Sequence, residues 1–508
     1  MFSLLLRRLG ICLAIGFTVK AIPTPPGHEI VQYNPGRFTL RGMDYPRIYK
    51  PDSDSDDTTP AFISRDRRPD RYYDKPEPVS ATSDDDLFNF HPLRPPFQAR
   101  DQKRANGIQT TTPQTVRGKY GAPMLGPENV ALVEQNLDLL RPPKTDSGSV
   151  MNFKWPFSFS HNRLTEGGWA RHQNEKQMPI AKDLAAVNMR LKAGAIREMH
   201  WHVTNEWAYV LKGSLRVSVL APGGENEGVM YVADVNEGDL WYFPAGDPHS
   251  LQAKDTNPEG AEFLLIFDSG AFDENETFLL TDWLVHVPKE VLAKNFQTYP
   301  DTTPFDHIPE EELYIFPSTP PSEDINKDLV VPNPTDPKYF FAYPFSKVEP
   351  IKYPGGTVKV ADSRSFEASK NIAVAEVEVE VGGIRELHWH PTQPEWTFIL
   401  SGKARITLFA SQHNAATYDF FAGDVAYIPP TFGHYVENIG DEPLKFLEVL
   451  KTDVFQDISL RQWLALTPHN VVKAHLGFSE QFIDALPREK QVIVSGEQAD
   501  WSSDEETM

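Results

Sequence analysis

Two short segments of the chain carry histidines and a carboxylate at a spacing that suits a metal ion. HWHVTNEWAYVLKG at 200–213 and HWHPTQPEWTFILSG at 388–402 each contain a His-x-His pair followed by a glutamate. Because successive side chains of a β-strand point to opposite faces, His200 and His202 would face the same side, with Trp201 opposite. Imidazole nitrogens and carboxylate oxygens are common metal ligands. Each segment therefore predicts three ligands of one ion.

The fourth ligand of each set is expected from a second motif. GDLWYFPAGDPH at 238–249 returns as GDVAYIPPTFGH at 423–434, and both end in histidine. One His-x-His pair is equally compatible with surface or hydrogen-bonded histidines, but six of only 15 histidines occupy matching positions in the two repeats, which favours metal binding. The predicted ligands are His200, His202, Glu206, His249, His388, His390, Glu395 and His434.

The composition of these ligand sets restricts the metal. Three imidazoles and one carboxylate leave open positions on a six-coordinate ion, which suits manganese or iron and leaves copper and nickel as alternatives. The absence of thiolate ligands argues against a structural zinc or copper site.

The elements that must position these ligands are β-strands. From about Gly118, short runs of β-branched and aromatic residues alternate with glycine- and proline-marked turns, as in LRVSVLAP at 215–222 and EFLLIFDSG at 262–270. A few short helices are expected, and the best helix signals are at 287–296 and 479–490. The motifs return with a period near 188 residues, and WPFSFS at 155–160 is echoed by YPFSKV at 343–348. The fold class is therefore all-β, with two homologous domains in tandem.

Composition shifts give the domain limits and the cellular location. Residues 9–19 form an apolar run after Arg7 and Arg8, which is typical of a secretory signal, with a membrane anchor as the alternative. The protein is expected to be secreted and extracellular, without membrane association once the signal is removed. The predicted limits are 1–21 for the signal peptide, 22–117 for a disordered, proline- and charge-rich extension, 118–316 and 329–490 for the two β-domains, 317–328 for their linker and 491–508 for a polar tail.

Charge and cysteine content exclude other classes. The formal net charge is −22 and no basic stripe is present, so nucleic acid is not an expected partner. Cys12, the only cysteine, lies inside the predicted signal, so the mature protein has no disulfide and depends on packing, metal or oligomerisation for its stability outside the cell.

The two motif pairs resemble those of the cupin superfamily, and two copies make a bicupin. GAIREMHWHVTNEWAYVLKG, NFKWPFSFSHNRL and LTDWLVHVP resemble the oxalate decarboxylase family over roughly residues 118 to 480. The resemblance implies two tandem jelly-roll type cupin β-barrels with one Mn²⁺ in each. It also implies conversion of oxalate to formate and carbon dioxide with dioxygen as a required cofactor, and a homo-oligomer that is a trimer or a hexamer.

The resemblance also assigns roles to four further residues. Arg197 and Arg385 match arginines that hold oxalate beside the metal, although strand alternation places Arg197 on the face opposite His200 unless a bulge intervenes. Glu274 lies in a loop, DENET at 273–277, that is longer than its second-repeat counterpart and matches the lid that carries the catalytic acid. The familiar lid reads Ser-Glu-Asn-Ser-Thr, so Asp273 and Glu276 add negative charge here. Glu448 matches a carboxylate near the second metal, with acid catalysis or ordering of that site as its two roles.

Three alternatives remain open from the sequence. An oxalate oxidase would use the same manganese site but release peroxide, because the fragment left after decarboxylation would be oxidised instead of protonated. A non-enzymatic storage bicupin has no use for eight metal ligands. Another bicupin dioxygenase would need a pocket for a larger aromatic substrate.

Overall fold

The computed structural model describes residues 114–117, 120–223 and 228–496, all within one compact unit, Pro78–Met508. The predicted signal peptide, nearly all of the predicted extension and most of the predicted tail lie outside the described residues. In the described part strands dominate, as expected for an all-β protein.

The strands of the first half, in chain order, are β1 (Thr115–Arg117), β2 (Tyr120–Ala122), β3 (Lys154–Pro156), β4 (Arg163–Leu164), β5 (Gly168–Gln173), β6 (Ala185–Leu191), β7 (Ile196–Trp201), β8 (Glu206–Lys212), β9 (Ser214–Pro222), β10 (Gly228–Asn236), β11 (Leu240–Phe243), β12 (His249–Ala253), β13 (Ala261–Phe267), β14 (Phe278–Leu279) and β15 (Ile315–Phe316). Those of the second half are β16 (Ala342–Tyr343), β17 (Ile351–Tyr353), β18 (Gly356–Ala361), β19 (Ala373–Val379), β20 (Ile384–Trp389), β21 (Glu395–Ser401), β22 (Lys403–Phe409), β23 (Ala415–Phe421), β24 (Asp424–Ile428), β25 (Gly433–Asn438), β26 (Leu444–Leu450), β27 (Ile458–Ser459) and β28 (Ile493–Val494).

The α-helices are short and lie outside the sheets. They are α1 (Val130–Gln135), α2 (Leu137–Leu140), α3 (Leu280–Val285), α4 (Lys289–Asn295), α5 (Leu460–Leu466), α6 (His469–Leu476) and α7 (Glu480–Asp484). The helix expected at 287–296 is α4. The helix expected at 479–490 is shorter than predicted, because α7 ends at Asp484 and Pro487 follows three residues later. None of the helices in the described ranges is long and apolar enough to cross a membrane.

Each half of the chain builds one barrel from two antiparallel sheets. In the first barrel a six-stranded sheet runs β10-β9-β12-β7-β14, with β15 also on β7, and a seven-stranded sheet runs β16-β11-β8-β13-β6-β5-β4. The second barrel repeats this plan with β23-β22-β25-β20-β27, with β28 on β20, and β17-β18-β19-β26-β21-β24-β3.

The two barrels exchange one strand each. β3 lies before the sheets of the first barrel in the sequence, yet it pairs with β24 of the second, with Asp424 opposite Pro156. Reciprocally, β16 pairs with β11 of the first barrel, with Leu240 opposite Tyr343. These are the segments that the echo of WPFSFS by YPFSKV relates. Strand pairing thus ties the barrels together, whereas the limits 118–316, 317–328 and 329–490 stay a prediction drawn from composition.

The burial of each strand explains its sequence. β8 and β13 lie inside a sheet that is covered on both faces, so almost all of their residues are buried and apolar. β22 has one wet face, so buried Ala404, Ile406 and Leu408 alternate with half-buried Arg405 and Thr407. The apolar side chains of β8, β13 and their neighbours belong to a core cluster that extends across both barrels and includes Phe157 and Trp396.

Two glycines with similar backbone angles give a matched test of this packing. Gly260 has φ +86° and its missing Cβ would lie 1.9 Å from the Leu191 carbonyl oxygen, whereas Gly423 has φ +89° with no atom within 4 Å of that position. We expect Gly423→Ala to cost about 1 kcal/mol from the left-handed backbone alone. Gly260→Ala should cost roughly 3 kcal/mol or more in denaturant unfolding. Equal losses for the two variants would contradict this account.

Candidate metal centres and the lid

The first cluster of candidate ligands lies inside the first barrel. His200 is on β7, His202 follows directly after it, Glu206 begins β8 and His249 begins β12. All four side chains are buried, and their ligand atoms lie within 4.8 Å of one another. His249 pairs directly with His200 across the strands. The structure therefore brings together the four residues that the sequence singled out, in a group that could hold one metal ion.

Hydrogen bonds to the backbone orient the three imidazoles. The Nδ1 atoms of His200, His202 and His249 lie 2.6 Å, 2.7 Å and 2.8 Å from the carbonyl oxygens of Glu198, Thr204 and Asp247. A carbonyl oxygen can only accept, so each Nδ1 must donate, and Nε2 keeps its lone pair. Nε2 of His249 is buried without a hydrogen-bond partner within the described residues. A metal ion would satisfy this atom.

The charge state of the cluster also suits a cation. Burial lowers the pKa of His200 and of His249, which favours the neutral imidazole that binds metal. Burial alone would raise the pKa of Glu206, but the adjacent imidazoles of His202 and His249 hold that pKa well below its usual value. The other oxygen of Glu206 accepts from Trp241 Nε1 at 2.8 Å, which fixes the carboxylate. Trp241 was not identified from the sequence, where it appeared only as an apolar strand residue.

The second cluster repeats the first inside the second barrel. His388, His390, Glu395 and His434 are buried and their ligand atoms lie within 4.8 Å of one another. The Nδ1 atoms of the three histidines, in chain order, lie 2.7 Å, 3.0 Å and 3.0 Å from the carbonyl oxygens of Glu386, Gln456 and Phe432. Nε2 of His388 has no hydrogen-bond partner in the described part of the chain. The hydroxyl of Thr397 donates a hydrogen bond to Glu395, as the indole of Trp241 does to Glu206 in the first cluster.

A β-bulge places the arginines beside the histidines. His200 pairs with His249, but Arg197, three residues before His200, pairs with Leu251, only two residues after His249. The extra residue on β7 reverses the alternation, so that Arg197 is buried on the barrel side while Met199 is exposed. The second barrel has the same irregularity between Arg385 and His388. The sequence predicted that Arg197 could lie on the same side as His200 only if a bulge came between them, and the structure has this bulge.

The lid of the first barrel closes over Arg197. Residues Glu274–Glu276 form a 3-10 turn that Asp273 caps by accepting from the Asn275 amide at 3.1 Å. Glu274 is only 3% exposed. Its Oε1 accepts from Arg197 Nη2 at 3.3 Å and from the Tyr314 hydroxyl. The Arg197 guanidinium also donates to Thr277 Oγ1 at 3.2 Å. Glu274 is therefore a buried, directed carboxyl and not a solvated loop residue.

Aromatic stacking anchors both ends of the lid. Phe272 stacks on Phe267 with ring centroids 3.5 Å apart, and Phe278 stacks on Trp201 at 5.6 Å. The two phenylalanines therefore hold the lid at both of its ends. The extra negative charge of Asp273 is compensated by Lys176, whose Nζ lies 2.9 Å from its Oδ2. Partial burial raises the pKa of Asp273, but hydrogen bonds from Lys176 and Asn275 lower this pKa to about 2.

Glu198 and Tyr314 complete the site and were not found from the sequence. Tyr314 has φ +52°, a left-handed conformation that is uncommon for a bulky residue. Glu198 holds it there, because its Oε2 accepts from the amides of Leu313 and Tyr314 at 3.0 Å and 2.9 Å. Its Oε1 accepts from the amide and the hydroxyl of Thr281. The IREMHWH motif does contain Glu198, but nothing in the sequence links it to residues more than 80 positions away.

The arginine of the second barrel is surrounded differently. Arg385 is 0% exposed and donates to both oxygens of Glu448, at 3.0 Å and 3.3 Å, and to Asp457 at 2.6 Å. Lys490 also contacts Asp457. In the second barrel Glu448 pairs with Thr397 across the strands, and at the equivalent position of the first barrel Leu265 pairs with Ala208. Glu448 therefore corresponds to Leu265. Glu448 therefore orders Arg385 within this structure, and two carboxylates neutralise that guanidinium where Arg197 meets one.

Comparison with known proteins agrees with this geometry. The model of the family described as Cupin matches residues 159–303 and 345–484, one match in each barrel. The oxalate decarboxylase OxdC of Bacillus subtilis (strain 168) is 50% identical over 387 residues, which cover 76% of this chain and 98% of that protein. The chain belongs to the bicupin oxalate decarboxylase family.

Other oxalate decarboxylase relatives are consistent with this membership. A probable oxalate decarboxylase of Arthroderma benhamiae is 41% identical over 372 residues, which cover 71% of this chain and 88% of that protein. A solved structure of a Bacillus subtilis oxalate decarboxylase variant is similar with a TM-score of 0.71 at 50% identity, covering 76% of this chain and 99% of that one. A second solved structure, with the same TM-score of 0.71, comes from work on the Mn(II) centres of that enzyme.

The duplicated clusters predict the metal stoichiometry of variants. Each imidazole is preoriented by its own backbone hydrogen bond, so removing one ligand should weaken one site and leave the other intact. We expect His249→Ala and His434→Ala each to reduce the bound metal from about two ions per chain to about one, and the double variant to bind almost none. Elemental analysis after exhaustive dialysis measures this. Full retention of two ions by either single variant would exclude the corresponding cluster as a metal centre.

Proposed function

We propose that this oxalate decarboxylase is a secreted, manganese-dependent enzyme that converts oxalate to formate and carbon dioxide with dioxygen as a cofactor. The proposal assigns catalysis to the first barrel and makes Glu274 the proton donor. The observation that carries it is the contact of a buried lid carboxyl with the same arginine that lies beside a three-histidine, one-glutamate cluster. The manganese centres of the related Bacillus enzyme support the choice of metal.

The two clusters are the proposed metal ligands, with one ion in each barrel. Their donor sets fit a six-coordinate ion with open positions, and the buried, unpartnered Nε2 atoms of His249 and His388 are the atoms that such an ion would satisfy. With dioxygen, manganese would supply the one-electron oxidation that weakens the carbon–carbon bond of oxalate. The chain itself must then hold the substrate, exclude water and provide a proton.

Arg197 is the proposed holder of oxalate. Its guanidinium is buried and keeps Nε without a hydrogen-bond partner within the described residues, so it has a free donor for a carboxylate. Within the described ranges its one carboxylate partner is Glu274, which belongs to the lid. A lid that opens would expose Arg197 to an entering oxalate, and a lid that closes would return Glu274 to the same pocket.

Glu274 is the proposed acid. Loss of carbon dioxide leaves a one-carbon fragment that needs a proton on carbon to become formate, and a buried carboxyl at hydrogen-bonding distance from Arg197 can deliver it. The Tyr314 hydroxyl donates to the same oxygen and fixes its direction. Burial under the closed lid keeps bulk water from the reacting centre.

The second barrel is proposed to bind its metal mainly for structure. Arg385 is held by Glu448 and Asp457. Nη1 of Arg385 is also without a hydrogen-bond partner within the described residues, but an oxalate dianion at this guanidinium would lie beside two buried carboxylates that already neutralise it, which is costly. We therefore assign Glu448 to ordering the second site and regard Arg385 as a weaker candidate for substrate binding than Arg197.

The first test is the product distribution of lid variants. We expect Glu274→Gln to lower the rate of formate production by about 10²-fold or more and to raise the share of peroxide, because the amide cannot donate the required proton. The matched control is Glu276→Gln on the exposed side of the same lid, which should retain formate production. Formate is assayed together with dioxygen uptake. Peroxide as the main product of the unaltered enzyme would instead support oxalate oxidase.

A homo-oligomer is proposed from two similar exposed patches. The first consists of Met199, Trp201, Phe278 and Trp283, and the second of Leu387, Trp389, Ile458 and Trp463. Trp283 is 58% exposed and Trp463 is 55% exposed, and each makes an edge contact with its neighbouring tryptophan at 5.6 Å. Contacts between the first patch of one chain and the second patch of the next would close into a ring, as in a trimer.

The second test is the mass of a patch variant in solution. Trp463→Glu should convert a trimer or hexamer largely to monomer, because it introduces a charge into the apolar contact. Val330→Glu, at a position that is 95% exposed outside both patches, is the control and should leave the assembly unchanged. Sedimentation velocity distinguishes the species. A monomeric unaltered enzyme, or a Trp463→Glu variant of unchanged mass, would contradict the proposed interface.

Secretion is proposed from the first 21 residues alone. The apolar run at 9–19 after Arg7 and Arg8 has the features of a signal peptide. Sequencing the amino terminus of the protein recovered from culture medium would identify cleavage near Ala21, whereas cell-associated full-length protein would contradict secretion.

A further inference from the structure

A cavity of about 440 Å³ lies against the lid; two of its lining residues, His161 and Asn275, are exposed, and none of the eight candidate metal ligands lines it. Its lining residues are His161, Arg163, Ala170, His172, Gln177, Glu274 and Asn275. Glu274 and Asn275 come from the lid, and Ala170 and His172 come from β5. At about 30 Å³ per water molecule the cavity could hold roughly fifteen waters, so a two-carbon dicarboxylate fits with part of its hydration shell.

The polar groups that face this cavity are mostly free donors. The side chains of His161 and His172 make no hydrogen bond within the described residues. Gln177 accepts from the Asn174 amide at 2.9 Å through Oε1, which leaves its NH₂ group available. Arg163 uses Nη1 for Asn275 and Nη2 for Glu312, which leaves Nε–H. Several unpaired donors around one space are the arrangement that a small anion needs.

The charged groups around the cavity are paired with one another. Arg163 is neutralised by Glu312, and Lys176 is neutralised by Asp273. The remaining carboxyl, Glu274, is paired with Arg197. Each carboxylate named here therefore has a cationic partner, and we expect the N–H groups of His161 and His172 to contribute most to the affinity for an anion.

The position of the cavity links it to the reaction. Glu274 contacts Arg197 on the inner side and lines the cavity on the outer side. The Arg163 guanidinium lies over the Tyr314 ring at 3.6 Å and the Arg197 guanidinium lies over the same ring at 4.3 Å, so Tyr314 contacts both an arginine of the cavity and the arginine beside the metal cluster. Any anion that passes the lid here meets the outer donors before Arg197.

We propose that this cavity is a second binding site for small carboxylate anions, an antechamber in which oxalate docks before the lid opens and through which formate leaves. His161 and His172 are its binding residues. The inference rests on the proposed function, because it takes oxalate and formate as the anions that pass the lid. It adds a site that is distinct from the metal-bound position and acts on substrate capture without a part in bond breaking.

The experiment compares variants that keep or remove the N–H donors. His161→Gln/His172→Gln retains two donors, whereas His161→Leu/His172→Leu removes both. We expect the leucine pair to lower kcat/KM for oxalate about tenfold and to weaken competitive inhibition by formate by a similar factor, with kcat and the formate-to-peroxide ratio unchanged. The glutamine pair should lie close to the unaltered enzyme. His475→Asn, an exposed histidine of the second barrel, is the control for loss of an imidazole and should change none of these quantities.

Each outcome decides between the possibilities. An unchanged kcat/KM in the leucine pair would overturn the antechamber and leave the proposed function intact, since formate would still be produced at the normal rate. A lower kcat with more peroxide would assign the two histidines to lid chemistry and also overturn it. Manganese content and the unfolding temperature are measured for every variant. If the leucine pair does not fold, the single leucine variants are compared with the single glutamine variants, and equal kcat/KM values there would again contradict the proposal.

Discussion

The structure of both sites depends on one irregularity of strand pairing, the bulge between the arginine and the first histidine of each motif. In a regular strand, Arg197 and His200 would face opposite sides, and a guanidinium could not share a pocket with the imidazoles. The added residue on β7 turns Arg197 inward and leaves the pairing of His200 with His249 intact. The same shift occurs between Arg385 and His388. Arg197 and the candidate metal ligand His200 are therefore positioned together by the backbone of a single strand.

This shared geometry makes the difference between the barrels informative. Position for position, the second barrel has the carboxylate of Glu448 where the first has Leu265. The second barrel also has a shorter loop in place of the lid, and Asp457 lies in that loop. As a result two buried carboxylates neutralise the guanidinium of Arg385, while the guanidinium of Arg197 pairs with one carboxylate, that of Glu274, within the described residues. The two repeats therefore differ at the arginine through a few side chains, without a change in topology.

The sequence predicted most of what repeats and little of what is particular to one barrel. The duplicated spacing identified the eight clustered side chains, the all-β class and the short α4, because periodicity and repeated motifs are local signals. Strand pairing is not local, so the sequence did not predict the exchange of β3 and β16 between the barrels. It showed only that the segments at 155–160 and 343–348 are similar. Glu198 and Tyr314 escaped detection for the same reason. The sequence shows the extra negative charge of Asp273, but it does not show that Lys176, almost 100 residues earlier, contacts and compensates this charge.

Tyr314 shows how the long-range contacts serve the lid. A left-handed backbone at a bulky residue is strained and persists only where the surroundings enforce it. Glu198 does so by accepting from two successive amides, and it lies on the same strand, within the same bulge, as Arg197 and His200. The tyrosine hydroxyl then donates to Glu274, and its ring lies against the guanidinium groups of both Arg163 and Arg197. The bulged strand therefore positions His200 directly and the Glu274 carboxyl through Tyr314, which couples the candidate metal cluster to the carboxyl that we propose as the acid.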